Sequence, residues 1–381
     1  MWLVYGSLAS YNDKISTSFY TICEAIMTGL ADFELRSTPG LFNRLDSSGR
    51  KLGFKATSPD EVIAWQEALR VEVRRLLGAV PAEKSDLQPT LIESIDMPDL
   101  ACDLIVLQTI NDEYMPVYVL TPHNAQKPYK PVIALHGHGT WGAKSLTGVA
   151  DTPAEAAYIR DYKADYGAQI ARAGYQVFVP ALRGFGERME DRELQTLQSS
   201  NQSGEGIWSC QELGLNALLC GQTLMGLRVW DVMRLIDYIY TRPDVEHDHL
   251  PCVGLSGGGT ATMYTTALDP RITSAYISGA INTFRDSLMT ISHCVCNYVP
   301  HLPQYAEMAD IAGLIAPRPL MVENGADDPI YPAAGVEAAL VTLRQVYTAV
   351  GKPELLTTHT FQGKHRWDGK PVAEWLGKQY Q

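Results

Sequence analysis

The stretch Pro251-Cys252-Val253-Gly254-Leu255-Ser256-Gly257-Gly258-Gly259-Thr260-Ala261-Thr262-Met263 decides how this chain is read. A short apolar run leads into a serine flanked by glycines, and the residues that follow suit a helix. A turn tight enough to pass from strand to helix around Ser256 leaves no room for neighbouring side chains, which is why glycine flanks it. Ser256 therefore reads as a nucleophile held at the carboxyl end of a parallel strand. The competing reading is a glycine-rich turn without chemistry.

A serine hydroxyl is a poor nucleophile at neutral pH and needs a histidine base oriented by a carboxylate. In this strand-turn-helix class the acid and then the histidine follow the serine along the chain, each in a loop at the same sheet edge. After the run Leu320-Met321-Val322-Glu323 comes Asn324-Gly325-Ala326-Asp327-Asp328-Pro329. After Thr358-His359-Thr360-Phe361 comes Gln362-Gly363-Lys364-His365. Asp328 is preferred to Asp327 because a residue before proline is pushed to extended geometry, which fixes its carboxylate; Glu323 is a third option. His365, in a loop, is preferred to His359, which lies within a strand run. His293 and His301 precede the acid and break the order.

Acyl transfer also needs donors for an oxyanion. The N–H of Gly257, just after the serine, supplies one. The second is expected in His136-Gly137-His138-Gly139, which follows the strand run Val132-Ile133-Ala134-Leu135; His138 N–H is the first choice and Gly139 the other. Residues Gly137 to Gly142 also spell G-x-G-x-x-G, a dinucleotide fingerprint, but no helix clearly opens at Gly142 and no acidic residue stands at the ribose position. Trp141, Arg183, Trp208 and Tyr298 are expected as pocket walls, because their segments converge on the reactive edge or belong to a lid-like insertion.

Outward from these loops, short β-branched runs alternate with helices from about residue 100, the signature of a mainly parallel sheet covered on both faces. The strand runs are Ile105 to Leu107, Val117 to Leu120, Pro131 to Leu135, Tyr175 to Pro180, Cys252 to Leu255, Ile272 to Ser278, Leu320 to Glu323 and Leu355 to Phe361. Capping boxes open helices at Ser58-Pro59-Asp60-Glu61 and Thr152-Pro153-Ala154-Glu155. A further helix spans about Leu227 to Tyr240, and Ser16 to Leu35 also looks mostly helical. Residues 1–95 are read as a helical N-terminal segment and 96–381 as the catalytic domain, with a candidate lid at 184–222, which is too long for an ordinary connection.

With 31 Lys and Arg against 43 Asp and Glu, the net charge of −12 repels phosphate backbones and anionic bilayers, so nucleic acid and membrane are not expected as partners. The longest uncharged runs contain Pro, Gly, His and Asn, unlike a membrane span. Without a basic, hydrophobic leader pattern at its start, the chain is expected to be cytoplasmic. Its seven cysteines are an odd, scattered set without C-x-x-C, indicating buried thiols. His293-Cys294-Val295-Cys296 could be drawn as metal ligands, but no second cluster at zinc spacing accompanies it, so no metal and no cofactor are expected.

Taken together, His136 to Gly139, Arg183-Gly184-Phe185-Gly186-Glu187, Gly254 to Gly259, His293 to Tyr298, Asn324 to Pro332 and Phe361 to Gly369 resemble the α/β-hydrolase superfamily. Within it they resemble dienelactone-hydrolase-like and acetyl-xylan-esterase-like bacterial enzymes. The resemblance runs from about residue 100 to 381. It implies an eight-stranded, mostly parallel sheet flanked by helices, Ser256, Asp328 and His365 as a triad, and ester hydrolysis without metal or organic cofactor. It leaves the first 90 residues unmatched; they are expected to cover the site or to support a homo-oligomer. The substrate is expected to be a small or short-acyl ester, with a peptidase or a non-catalytic binding module as rivals.

Overall fold

The computed structural model describes residues 35–78, 84–200 and 207–381. These fall into two compact units that divide between Gly49 and Arg50. In the first unit the described element is the helix α1 (Ser37–Ser48); the helix expected from Ser16 lies almost wholly outside the described residues.

The second unit is built on one nine-stranded sheet. Its strands are β1 (Thr90–Asp96), β2 (Leu100–Ile110), β3 (Glu113–Pro122), β4 (Pro131–Leu135), β5 (Gln176–Pro180), β6 (Pro251–Leu255), β7 (Ser274–Ser278), β8 (Leu320–Gly325) and β9 (Leu356–Phe361). The spatial order is β1-β2-β3-β5-β4-β6-β7-β8-β9. β1, β2 and β3 run antiparallel and β3 meets β5 antiparallel; from β5 through β9 every pairing is parallel. The count is therefore nine, not the expected eight. The extra strand, β1, falls inside the stretch read as helical. It is an edge strand, exposed at nearly every position, with Glu93, Ser94 and Asp96 interrupting any apolar pattern, so it carries no burial signature in the sequence.

Strands β4 to β8 are buried at every residue, as a parallel sheet covered on both faces requires. Successive side chains serve opposite cores. Ile133 and Leu135 join one cluster and Val132 and Ala134 the other.

Helix α2 (Pro59–Leu77) belongs to this unit rather than to a separate N-terminal segment. Its Leu69, Val73, Leu76 and Leu77 enter the larger core, and Gln66 donates to the carbonyls of Gly313 and Ala316 at 3.1 and 2.7 Å. Arg74 donates to Leu268 O at 2.7 Å, at the C-terminus of the helix that begins after Ser256, where a cation complements the helix dipole. Ser58 caps α2 by accepting from Glu61 N, yet Glu61 reaches back to Thr57 N rather than to Ser58 N. Helix α3 (Pro153–Tyr162) repeats the device, with Thr152 accepting from Glu155 N and Glu155 accepting from Asp151 N. Each box thus closes one residue earlier than the sequence pattern suggests.

The remaining helices are α4 (Tyr166–Arg172), α5 (Asp191–Ser200), α6 (Ile207–Leu219), α7 (Leu224–Thr241), α8 (Gly257–Leu268), α9 (Met308–Gly313), α10 (Ala333–Ala349) and α11 (Val372–Gln379). Among the described residues, none is long and apolar enough to cross a membrane.

Candidate active site

Ser256 sits between β6 and α8 with φ 56° and ψ −121°, a conformation that a residue with a Cβ adopts at a cost of about 1–3 kcal/mol. The glycines around it make that turn possible. A Cβ on Gly258 would lie 1.9 Å from Leu135 O, and one on Gly254 would lie 2.4 Å from Gly258 O. The strained backbone is held by a hydrogen bond from Ser256 N to Ser278 O of the neighbouring strand, at 2.9 Å.

Asp328 follows β8 and His365 follows β9, so both reach the same carboxyl edge of the sheet as Ser256. His365 Nδ1 lies 2.7 Å from Asp328 Oδ2. Asp328 Oδ1 accepts from the N–H groups of Ile330 and Tyr331 at 2.8 and 3.0 Å. Burial alone would raise the Asp328 carboxyl, but the hydrogen bond and charge of His365, with these two N–H groups, hold it below its ordinary value. The carboxylate accepts a hydrogen bond from Nδ1–H and so fixes the imidazole tautomer. Nε2 of His365 is buried and, among the described residues, has no hydrogen-bond partner. The ring passes close over Gly279, where a Cβ would meet Cε1 at 3.0 Å and Leu255 Cδ1 at 3.6 Å. Tyr331 stacks on its other side, with centroids 5.7 Å apart.

Ser256 and His365 line one cleft of about 460 Å³, together with Gly137, His138, Gly139 and Trp141. The loop after β4 is pressed against the serine turn. A Cβ on Gly137 would lie 3.4 Å from Ser256 Cβ, and one on Gly257 would lie 2.8 Å from the His138 ring. Gly257 opens α8, so its N–H has no intrahelical acceptor and the positive end of the helix dipole points at the serine. His136, by contrast, is a structural side chain. Its Nε2 accepts from Leu182 N at 3.0 Å and its Nδ1 lies 2.8 Å from Gly137 O, and burial pushes its pKa down to about 3, leaving it neutral.

Two expected wall residues lie outside this cleft. Arg183 is buried in a salt-bridge cluster, bidentate to Asp231 at 2.8 and 2.9 Å and paired with Glu113. Its position after β5 is at the right edge, but a carboxylate from α7 draws the guanidinium inward. Tyr298 is 42% exposed and donates to Leu288 O at 2.8 Å. The side chain of Trp208, in α6, lies outside the described part. Glu323, the third option for the acid, is fully buried and accepts from Tyr276 and Ser278 hydroxyls and from the N–H groups of Asp368 and Gly369, while His365 Nδ1 pairs with Asp328. His359 pairs instead with Asp368 at 3.0 Å. The G-x-G-x-x-G string runs into a short 3₁₀ turn at Gly142–Thr147 rather than the helix a dinucleotide fold needs.

None of the described residues of the segment 184–222 lines the cleft. Helix α6 instead packs beneath the turn at Val295–Asn297, where a Cβ on Gly214 would lie 2.6 Å from Val295 Cγ1. The cleft is also lined by Tyr158 and Tyr162 of α3, Tyr166, His293, Asn297 and Tyr331. Tyr158 donates to His138 O at 3.0 Å and so clamps the loop beside the serine. The capping box finds α3 in the sequence, but no local signal says which face of it meets that loop. His293 Nε2 lies 3.0 Å from Ser287 Oγ, whose hydroxyl donates to Ile330 O.

A doubly flanked, mostly parallel sheet with a serine in a glycine-lined strand-to-helix turn defines an α/β hydrolase. Over residues 26–379 the chain matches the Abhydrolase family, and it belongs to that family. YtaP of Bacillus subtilis (strain 168), provisionally named a hydrolase, is 26% identical over 288 residues, covering 74% of this chain and 88% of YtaP. A Bacteroides fragilis NCTC 9343 structure, provisionally named an acetyl xylan esterase, superposes with TM-score 0.77 at 16% identity, covering 91% of this chain and 95% of that one. The glucuronoyl esterase from Solibacter usitatus gives TM-score 0.60 at 16% identity, covering 83% and 93%. At these identities the structural likenesses show the fold.

Proposed function

We propose that the protein is a serine carboxylic-ester hydrolase that works through an acyl-enzyme on small or short-acyl esters. One observation carries this reading: Asp328 holds His365 by Nδ1 at 2.7 Å, leaving an unpartnered Nε2 in the cleft shared with Ser256. Nε2 takes the Ser256 proton as the hydroxyl attacks the ester carbonyl, and Asp328 stabilises the imidazolium that forms. The oxyanion is received by the N–H of Gly257 and by that of His138. His365 then protonates the leaving alcohol, and water repeats the sequence on the acyl-enzyme.

The cleft volume of about 460 Å³ suits a small acyl group and a ring-sized alcohol. Trp141, Tyr158 and Tyr162 offer flat apolar faces of the kind on which sugar rings stack. Names among the structural neighbours agree with a carbohydrate ester, including acetyl xylan esterase and glucuronoyl esterase.

The test is labelling of the native chain with a fluorophosphonate, peptide mapping of the adduct, and a panel of aryl and sugar esters of increasing acyl length. The expected outcome is a single adduct on Ser256, with acetyl esters turned over fastest and Ser256→Ala inactive. An adduct on another serine, or full activity in Ser256→Ala, overturns the proposal.

A further inference from the structure

At the inner wall of the cleft, which His138 and Cys294 both line, lies a group of side chains that ester hydrolysis leaves unused. His138 Nε2, Cys294 Sγ and Cys296 Sγ all lie within 4.8 Å of one another, with His138 Nε2 3.3 Å from Cys296 Sγ. Cys210, from α6, is buried and within hydrogen-bonding reach of both Cys294 and Cys296. Local spacing hides the group, since its members come from three separate segments of the chain.

Arg228 supplies an independent observation. Its guanidinium is 0% exposed and, among the described residues, pairs with no carboxylate. It donates to Arg183 O and, through Nη2, lies 3.1 Å from Cys210 Sγ, while Nη1 is buried without a partner. The guanidinium lies over the Phe185 ring, but a buried cation needs a counter-charge nearby, and among the described residues the neighbours that can supply one are the thiols. Three thiolates and one neutral imidazole around a divalent cation carry a net charge of minus one, which Arg228 balances.

We propose that Cys210, Cys294, Cys296 and His138 bind one zinc ion in a closed structural site. Three sulfurs and one imidazole nitrogen form a donor set that suits zinc. A tetrahedral zinc places its ligand atoms roughly 3.5–3.8 Å apart; His138, Cys294 and Cys296 already lie within 4.8 Å of one another, and Cys210, beside the two thiols, would turn in to complete the set. The thiol protons are released as the ion binds. Four protein ligands leave no open position for substrate, so the ion's work is mechanical. It ties α6 and the 293–298 segment to His138, whose ring lies against the turn that carries the serine. A second cluster, Glu323 with His359 and Asp368, lacks this character, because Lys163 and Arg366 already occupy Asp368.

The test is the zinc content of the full chain, purified without chelators, reduced, incubated with excess zinc and gel-filtered. About one zinc per chain is expected. The cobalt-substituted protein should show thiolate-to-cobalt charge-transfer bands with the d–d spectrum of a tetrahedral site. Cys294→Ser and Cys296→Ser should each retain less than about half the zinc, whereas Cys220→Ser, at an exposed position, should retain all of it. Less than about a tenth of an equivalent in the wild-type chain, an octahedral cobalt spectrum, or full zinc retention in both Cys294→Ser and Cys296→Ser would overturn the proposal, and the first two readings require no variant to fold. Repeating the measurement on Ser256→Ala should give the same stoichiometry, so this outcome is independent of the hydrolytic reading.

Discussion

Asp328 spends one oxygen on His365 and the other on two backbone N–H groups, so its carboxylate is both oriented and saturated. An amide at this position can present its NH₂ to Nδ1 and favour the wrong imidazole tautomer. Asp328→Asn is therefore expected to lower kcat by about 10⁴ with little change in KM, measured on an aryl acetate. Because the Asp328 carboxyl is held below its ordinary range, it stays charged through mildly acidic pH. Its share of stability is present above the unfolded carboxylate value of about 3.9 and fades as pH falls through the lower, folded one. Asp327, its neighbour, was close in sequence terms. The proline at 329 was the local argument for Asp328, and Asp328 is the one of the pair that meets His365.

At the scale of elements, α3 controls the loop beside the serine through one hydroxyl. Tyr158 donates to His138 O and lies where a Cβ on Gly139 would meet its Oη at 2.5 Å. Loss of the hydroxyl leaves the ring in place and frees the loop carbonyl. Tyr158→Phe is expected to reduce kcat/KM by about fivefold, the equivalent of one net hydrogen bond near 1 kcal/mol, while the melting temperature moves by only a few degrees. A larger fall in stability than in turnover would assign Tyr158 to packing alone. Helix α3 was legible through its cap, and α8 through its glycines. The partners of each were not, because capping and periodicity describe one helix and say nothing of the loop it touches.

For the molecule as a whole, the buried charges around Asp231 join three layers. Asp231 on α7 is 0% exposed and binds Arg183, from the loop after β5, and Arg188 at 2.6 Å. Burial opposes its ionisation, but Arg188 and Arg183 overcome that and hold its pKa down to about 2. Stability from this group is fully present above the unfolded value of about 3.9 and is lost as pH falls toward the folded one. Asp231→Asn strands Arg188 and leaves Arg183 only its pair with Glu113. It is expected to cost about 3–5 kcal/mol in urea denaturation at neutral pH and to flatten the dependence of stability on pH between the two values. An unchanged acid limb would show that other carboxylates govern it.

What the sequence by itself determined is everything written in short-range pattern. The strand-turn-helix at Ser256, the loops bearing Asp328 and His365, the alternation of strand and helix and the two N-caps all follow from residues within a few positions of one another. The edge strand Thr90–Asp96 escaped that reading because a strand exposed on nearly every residue leaves no hydrophobic trace. Only the tertiary structure decided that Arg183 turns to a buried carboxylate instead of the cleft, that Gly214 of α6 packs against Val295, and that His138, Cys294 and Cys296 meet. Each depends on distant segments brought together by core packing, and burial and charge pairing between such segments leave no mark on the order of residues along the chain.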